Sequence, residues 1–183
     1  MSRLVTFMGI DPGTNNTGIS ILKYDYETRD IGSVDALTID GSKTYDIASE
    51  DLMYSHGDRF HRIYSIAAVA QRLMKHHEPL EIACESPFYH RLHPGSFAPL
   101  LEVVYAMRMA AIRFNPHVRF ITYEPLLVKK TLSGKAFADK HQMKEALKNN
   151  ETISSKLITP LEEMTEHAID AIGIAYTHYI HLR

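Results

Sequence analysis

Four side chains of this sequence could together hold divalent cations if the fold brings them to one place. Two are acids that each follow an apolar run, and two form a His–Asp pair three residues apart: Asp11, Glu85, His167 and Asp170. Oxygen-rich ligand sets of this kind suit hard cations such as Mg²⁺ or Mn²⁺. Carboxylates held close together repel each other and lose hydration, so a cluster of them requires compensating cations. Two ions about 4 Å apart can activate water and stabilise the leaving oxygen in phosphodiester cleavage.

Each of these residues also has an ordinary explanation when it is taken alone. An Asp before Pro12-Gly13 often only forms a turn, and an acid at a strand end, such as Glu85, can lack any task. A single histidine such as His167 is more often a hydrogen-bonded core residue than a ligand. Asp170 is harder to dismiss, because an unpaired charge on the packing side of an apolar helix is costly to bury. The hypothesis of a metal site therefore depends on joint placement.

The elements around these residues predict that placement. Leu4 to Ile10 is a short apolar run typical of a buried strand that ends at Asp11, and Leu80 to Cys84 is another that ends at Glu85. If the two strands are parallel neighbours, their acids face the same crevice at the carboxyl ends of the strands. Apolar residues surround the His–Asp pair and predict a last helix, about Leu161 to His181, whose packing side carries the pair to the sheet.

The remaining elements place these strands and this helix in a mixed α/β domain. We expect an antiparallel meander followed by strands added through helical crossovers, giving a five-stranded sheet flanked by helices. No linker is evident, so we expect a single domain over residues 1–183. The further predicted strands are 18–24, 31–39 and 118–123, the further predicted helices are 59–77, 98–114, 126–132 and 140–148, and 133–139 is predicted to be a loop.

Length and composition exclude several classes of protein. The 183 residues suit one compact domain, and the 45% hydrophobic share argues against disorder. One cysteine cannot form an internal disulfide, which excludes a disulfide-stapled secreted module. No apolar run approaches the ~20 residues needed to span a bilayer, and the first residues do not resemble a signal peptide. We therefore expect a cytoplasmic protein, or one in the host cytoplasm if it is viral.

Charge is distributed unevenly, although the net charge is only −2. Residues 25–58 hold nine acids and two basic residues, whereas residues 119–148 hold seven Lys or Arg and three acids. This asymmetry favours one face that repels polyanions and one that attracts them. Solvated surface charge without a function is the ordinary alternative.

Four segments, in order along the chain, resemble the motifs of RuvC-type Holliday junction resolvases of the RNase H-like superfamily. They are GIDPGTNNTG (9–18), IACESPF (82–88), VKKTLSGKAFADKHQM (128–143) and HAIDAIGIAYTH (167–178). Each segment is a weak signal alone, but the four in this order are specific together. Between about residues 25 and 80 the resemblance rests only on element order.

The resemblance implies a site and a reaction. Asp11 would bridge two ions of Mg²⁺ or Mn²⁺, Glu85 would hold one of them, and His167 with Asp170 would hold the other. Water would attack the phosphorus in line, leaving a 5′-phosphate and a 3′-hydroxyl. The enzyme would act as a homodimer, because two symmetric nicks across a four-way junction need two sites. Position 167 is histidine where many family members have an acid, and imidazole suits Mn²⁺ better than Mg²⁺.

The resemblance also implies which residues contact branched DNA. Phe88 matches an aromatic that stacks on unpaired bases, with core packing as the alternative, and Tyr89, His90, Arg91 and His93 lie beside it. Lys129 and Lys140 would contact the scissile or neighbouring phosphates, so Lys140 counts as a catalytic residue as well. The predicted DNA-binding residues are Phe88, Tyr89, Arg91, Lys129, Lys130, Lys135, Lys140 and Gln142.

Three other functions remain open from the sequence. A related nuclease could prefer flaps, three-way junctions or general branched DNA. The segment DPGTNNTG also resembles the phosphate loop of actin-like and sugar-kinase proteins, but the chain is short for that fold and has no Gly-Gly motif. A non-catalytic junction-binding protein would be expected to lack ligands, and all four are present. Sequence preference, cellular or viral origin and a helicase partner stay open.

Overall fold

Five strands form one mixed sheet in the computed structural model, which describes residues 4–44, 50–89 and 94–182. Apolar and β-branched residues dominate the central strands, as expected for strands covered on both faces. The order across the sheet is β3-β2-β1-β4-β5. The strands are β1 (Leu4–Asp11), β2 (Asn16–Asp25), β3 (Ile31–Asp40), β4 (Glu81–Glu85) and β5 (Arg119–Tyr123).

The pairing of β1 determines where the two strand-end acids lie. β1 is antiparallel to β2 and parallel to β4, and β4 is parallel to β5. The register between β1 and β4 pairs Gly9 with Ala83 and Ile10 with Cys84. The next residues of the two strands, Asp11 and Glu85, are therefore neighbours at the carboxyl ends. This confirms the mixed five-stranded sheet expected from the sequence.

Helices cover both faces of the sheet. Helices α2 and α3 pack on one face, against strand residues such as Met8 and Ile10, and α5 and α7 pack on the other, against residues such as Phe7 and Leu22. None of the helices in the described ranges has the length and apolar character that crossing a membrane requires. The helices are α1 (Glu50–His56), α2 (Asp58–His77), α3 (Phe97–Phe114), α4 (Pro125–Ser133), α5 (Lys140–Asn149), α6 (Glu151–Ser154) and α7 (Glu166–His181).

The last helix begins later than the sequence pattern predicts. Residues Leu161–Glu163 form a separate 3₁₀ turn, and extended backbone at Met164 separates it from α7. The Thr165 hydroxyl caps α7 by accepting the backbone N–H of Ala168 at 3.2 Å, and it also contacts the Thr38 hydroxyl on β3. The cap therefore sets the start of the helix and ties it to the sheet. The short helices α1 and α6 were not predicted, because neither is long enough to show a helical period.

Small residues let α7 lie directly on the backbone of β1 and β2. A Cβ atom at Gly18 would overlap the carbonyl oxygen of His167, and one at Gly9 would overlap that of Ala171. The buried Ser20 hydroxyl donates a hydrogen bond to the Ala171 carbonyl at 2.7 Å. These contacts fix the height of α7 above the two strands, and so the position of every side chain on its first two turns.

Candidate active site

The two strand-end acids form the floor of the candidate site. Asp11 ends β1 and Glu85 ends β4, and both side chains are largely buried. Burial, followed by the negative charges of Asp11 and Asp170, raises the pKa of Glu85 from 4.5 to about 8. Burial also raises the pKa of Asp11, although its hydrogen bond with His167 opposes this shift. The floor is therefore a site where negative charge is costly without a cation.

The first turns of α7 bring the His–Asp pair over this floor. The Nδ1 atom of His167 lies 2.9 Å from Oδ2 of Asp11, within hydrogen-bond distance. This bond is the main reason that the pKa of His167 is raised from 6.5. Burial, followed by the charge of Asp11, raises the pKa of Asp170 from 3.8 to about 6. Asp11 thus interacts electrostatically with each of the other three residues predicted from the sequence.

Two lysines supply positive charge beside these carboxylates. The charge of Lys129 acts to lower the pKa values of both Glu85 and Asp170. The Nζ atom of Lys140 forms an ion pair with Glu166, and that hydrogen bond is the main cause of the raised pKa of Lys140. Glu166 also lies 3.9 Å from Nε2 of His167. Glu166 therefore lies beside the site, although the helical spacing alone places it on a different face of α7 from His167.

The donor set is suited to a hard divalent cation, although the ligands are not gathered into a finished cluster. Within residues 4–44, 50–89 and 94–182, no three His, Cys, Asp or Glu side chains are grouped closely enough to hold a metal ion. Instead, His167 hydrogen-bonds to Asp11, and the raised pKa of Glu85 favours its neutral form at pH 7. Three carboxyls and one imidazole supply the ligand atoms that Mg²⁺ or Mn²⁺ takes. A bound cation would replace the protons that now relieve the repulsion.

A second set of polar side chains lies at the opposite end of the contact between β4 and α7. Glu81 lies four residues before Glu85 on β4, and His178 lies two turns after Asp170 on α7. The His178 Nε2 atom is 3.0 Å from Oε2 of Glu81, and the other carboxylate oxygen, Oε1, lies 2.9 Å from Nη1 of Arg119. The Tyr123 hydroxyl lies 2.9 Å from His178 Nδ1. The hydrogen bond between Tyr123 and His178 ties α7 to β5 at this end, whereas the other end of β4 carries mutually repelling carboxyls.

The predicted aromatic contacts lie on the surface beyond β4. Phe88 is 48% exposed and Tyr89 is 56% exposed, so neither is a core residue. Tyr89 also packs edge-on against Phe97 at the start of α3, with 6.0 Å between ring centres. Arg91, with His90 and His93, lies outside the described residues.

The predicted basic residues lie on and around α4 and α5. Lys130, Lys135 and Lys140 are exposed, whereas Lys129 is partly buried beside the carboxyls. Gln142 has a structural role. Its side-chain oxygen accepts the backbone N–H of Asp139 at 3.2 Å, in a capping box that starts α5. A Gln three residues after an Asp is a sequence signature of such a cap.

Sequence reasoning missed the residues that seat α7. Ser20, Gly9 and Gly18 carry no chemistry of their own, yet they determine the height of the His–Asp pair above the sheet. The available signal was the combination of glycines on the first two strands with small residues on the helix. That combination indicates close backbone approach only once the pairing partners are known.

The sheet order and the carboxyls at the ends of β1 and β4, faced by a helix that adds a third carboxyl, define an RNase H-like nuclease. The family model "Crossover junction endodeoxyribonuclease RuvC" matches residues 7–178. The chain belongs to the RuvC family, whose nuclease chemistry depends on divalent metal.

Individual RuvC proteins match this sequence over nearly its full length. The RuvC of Campylobacter concisus is 31% identical over 179 residues, covering 96% of this chain and 97% of the relative. That of Campylobacter hominis is 29% identical over 176 residues, covering 96% of each. The structure of Thermus thermophilus RuvC in complex with a Holliday junction substrate superposes with a TM-score of 0.71 at 20% identity, covering 98% of this chain and 95% of that one.

Proposed function

We propose that this chain resolves Holliday junctions, as one nuclease domain in each subunit of a homodimer. It would make paired symmetric nicks that leave 5′-phosphate and 3′-hydroxyl ends. The observation that carries the proposal is the convergence of the strand-end acids with the His–Asp pair of α7, where burial and mutual repulsion raise the carboxyl pKa values. Family membership supports the same activity. Its place of action would be the cytoplasm.

Divalent cations would bind the carboxyls of Asp11, Glu85 and Asp170, with His167 as a further ligand. The four donors and the excess of negative charge suit two ions of Mg²⁺ or Mn²⁺ per site. When bound, the ions would activate water and stabilise the leaving oxygen. For His167 to ligate through Nε2 while Nδ1–H donates to Asp11, its ring must be neutral. The role of each of these residues stays a prediction.

The two lysines beside the site would contact DNA phosphates. Lys129 faces Glu85 and Asp170, so its charge can also attract the phosphate that approaches them. Lys140 is held by Glu166, and its charge also acts on Asp11 and Asp170. A phosphate oxygen could replace the Glu166 carboxylate as the partner of Lys140. Both lysines would thus position the scissile strand.

The wider DNA path would follow the exposed basic residues and the exposed aromatics. Lys130 and Lys135 extend the positive surface away from the carboxyls, whereas Phe88 and Tyr89 present rings beyond the end of β4. Base–aromatic stacking suits the unpaired bases at a crossover and contributes about 1–3 kcal/mol per base. Gln142 could contribute only through its amide nitrogen, because its oxygen caps α5.

Exposed apolar side chains on α2 and α3 support the homodimer. Phe60, Tyr64 and Tyr105 line a groove between these helices, and they are 46%, 43% and 67% exposed. Exposed apolar patches of this kind commonly mark protein interfaces. Light scattering after size-exclusion chromatography should give twice the 20.8 kDa mass of one chain. A monomer that still cuts both strands symmetrically would contradict the dimer.

Cleavage of labelled four-way, flap, three-way and linear duplex DNA tests the proposal. We expect paired symmetric nicks in the four-way junction with Mg²⁺ or Mn²⁺, none with Asp11→Asn, and none in EDTA. Cleavage of flaps or three-way junctions alone would keep the site and change the substrate to other branched DNA. No cleavage of any substrate by the folded protein would refute the nuclease.

A further inference from the structure

Phe137 is an almost fully exposed aromatic in the loop between α4 and α5. Its side chain is 86% exposed, more than that of Phe88 or Tyr89. It occupies the third position of a β-turn that the N–H of Ala138 closes on the carbonyl of Lys135 at 3.3 Å. Single exposed apolar residues are common on protein surfaces, so exposure alone assigns no task.

The loop that carries Phe137 is held firmly on both sides. Before it, the Ser133 hydroxyl donates to the carbonyl of Lys129 at 2.7 Å and accepts the backbone N–H of Lys135 at 3.2 Å. After it, Ala138 is buried in the core at 1% exposure, and Asp139 caps α5. The ring is therefore presented to solvent by a fixed backbone, so little backbone freedom remains to be lost when it binds a partner.

The surroundings of this ring point to a nucleic acid rather than to an apolar protein surface. Lys135 lies two residues before Phe137 and Lys140 three residues after it, and both are exposed. A chain of three residues spans at most about 11 Å, so the Phe137 backbone lies within that distance of Lys140. Lys140 in turn acts electrostatically on Asp11 and Asp170. An exposed aromatic ring between two lysines, one of which acts on the site carboxyls, combines phosphate attraction with a stacking surface.

We propose that Phe137 stacks on an unpaired base of the branched DNA, on the α4–α5 side of the active site. This rests on the proposed function, because it requires that the chain binds branched DNA. Phe88 and Tyr89 follow β4, whereas Phe137 lies in a separate loop between α4 and α5, so the two groups contact the junction through different elements. Phe137 then determines the preference for junctions with unpaired bases over continuous duplex.

The absence of tryptophan from the sequence makes a direct test possible. Phe137→Trp introduces the sole tryptophan, and its emission is followed while a four-way junction is added in EDTA, so that nothing is cut. Tyr54→Trp is the matched control, because Tyr54 is 94% exposed on α1 in the acidic region. We expect the junction to quench Phe137→Trp but not Tyr54→Trp, and a linear duplex of the same arm sequence to quench Phe137→Trp less.

Affinity measurements separate stacking from simple apolar contact. Phe137→Ala and Phe137→Leu should each weaken junction binding by about 5- to 150-fold, whereas Phe137→Tyr should bind like wild type. Unchanged Phe137→Trp emission on addition of the junction, or a Phe137→Leu variant that binds the junction like wild type, would overturn the inference. If the wild-type protein still binds the junction, the proposed function is unaffected by that outcome. Wild-type protein that binds no branched DNA would instead overturn the proposed function, and this inference with it.

Discussion

Replacing Glu85 by Gln should stabilise the metal-free protein while abolishing its catalytic site. Burial and the nearby charges of Asp11 and Asp170 raise the pKa of Glu85 from 4.5 to about 8. Between these pH values the unfolded chain ionises Glu85 and the folded chain keeps it protonated, so the free energy of unfolding falls as pH rises. Above pH 8 the loss is complete. Glutamine keeps the shape of the side chain and has no charge to desolvate.

The size of the effect follows from the same pKa values. A rise from 4.5 to about 8 corresponds to about 5 kcal/mol as an upper limit at about 1.4 kcal/mol per tenfold change. Relaxation and residual solvent contact reduce this, so we expect Glu85→Gln to gain about 2–3 kcal/mol at pH 9. The gain should be smaller at pH 5, because this pH lies close to the unfolded pKa of 4.5 and only a small part of the loss has accumulated there.

Urea denaturation in EDTA at pH 5 and pH 9 measures this gain. Glu163→Gln is the control, because Glu163 is exposed on the 3₁₀ turn before α7 and the change should stay within about 0.5 kcal/mol. Added Mg²⁺ or Mn²⁺ should stabilise the wild type and have little effect on Glu85→Gln. A Glu85→Gln protein no more stable than wild type at pH 9 would refute the buried-carboxyl reasoning.

Three further changes test other parts of the site. His167→Asp should shift the preferred ion from Mn²⁺ towards Mg²⁺ and keep activity at lower pH. The hydrogen bond to Asp11 raises the pKa of His167, and the histidine must lose its proton before it can ligate a cation. If the ion preference and the acid limb of the pH–rate profile are unchanged, His167 is not a ligand. Gly18→Ala should cost about 1–3 kcal/mol of stability in urea and reduce kcat, because its Cβ would push the start of α7 off the sheet; wild-type stability would contradict this. Lys129→Gln should move the rise of activity to higher pH, because Lys129 lowers the pKa values of the neighbouring carboxyls, whereas Lys135→Gln should change only the salt dependence of DNA binding; identical pH profiles would contradict the role of Lys129.

The sheet and its two strand-end acids could be predicted because they follow from local patterns. Apolar runs ending at Asp11 and Glu85 indicate strands, and parallel pairing makes the acids neighbours. The start of α7 could not be placed, because the pattern around Leu161 continues into the helix and only the Thr165 cap divides them. The pKa values depend on burial and on distances between distant segments, which no local pattern contains.

The contacts and exposure of surface side chains could not be predicted from the sequence either. Gln142 is predicted to bind DNA, and the sequence resemblance did not show that its oxygen also closes a helix cap. Phe137 lies inside a motif that resembles the family's basic segment, yet its exposure depends on a turn whose last residue, Ala138, is buried. Which side of a loop faces solvent is decided by the packing of its neighbours, not by the loop residues themselves.

The direct contact of α7 with β1 and β2 has a consequence for when this nuclease becomes active. His167 and Asp11 lie 156 positions apart in the chain, so the site depends on one of the most distant contacts that this fold makes. Contacts between distant segments form late, because a long loop must first be closed. Until α7 has packed on the sheet, the strand-end acids lack two of the four predicted ligands, His167 and Asp170. The packing of the last helix is therefore the step that completes the candidate site.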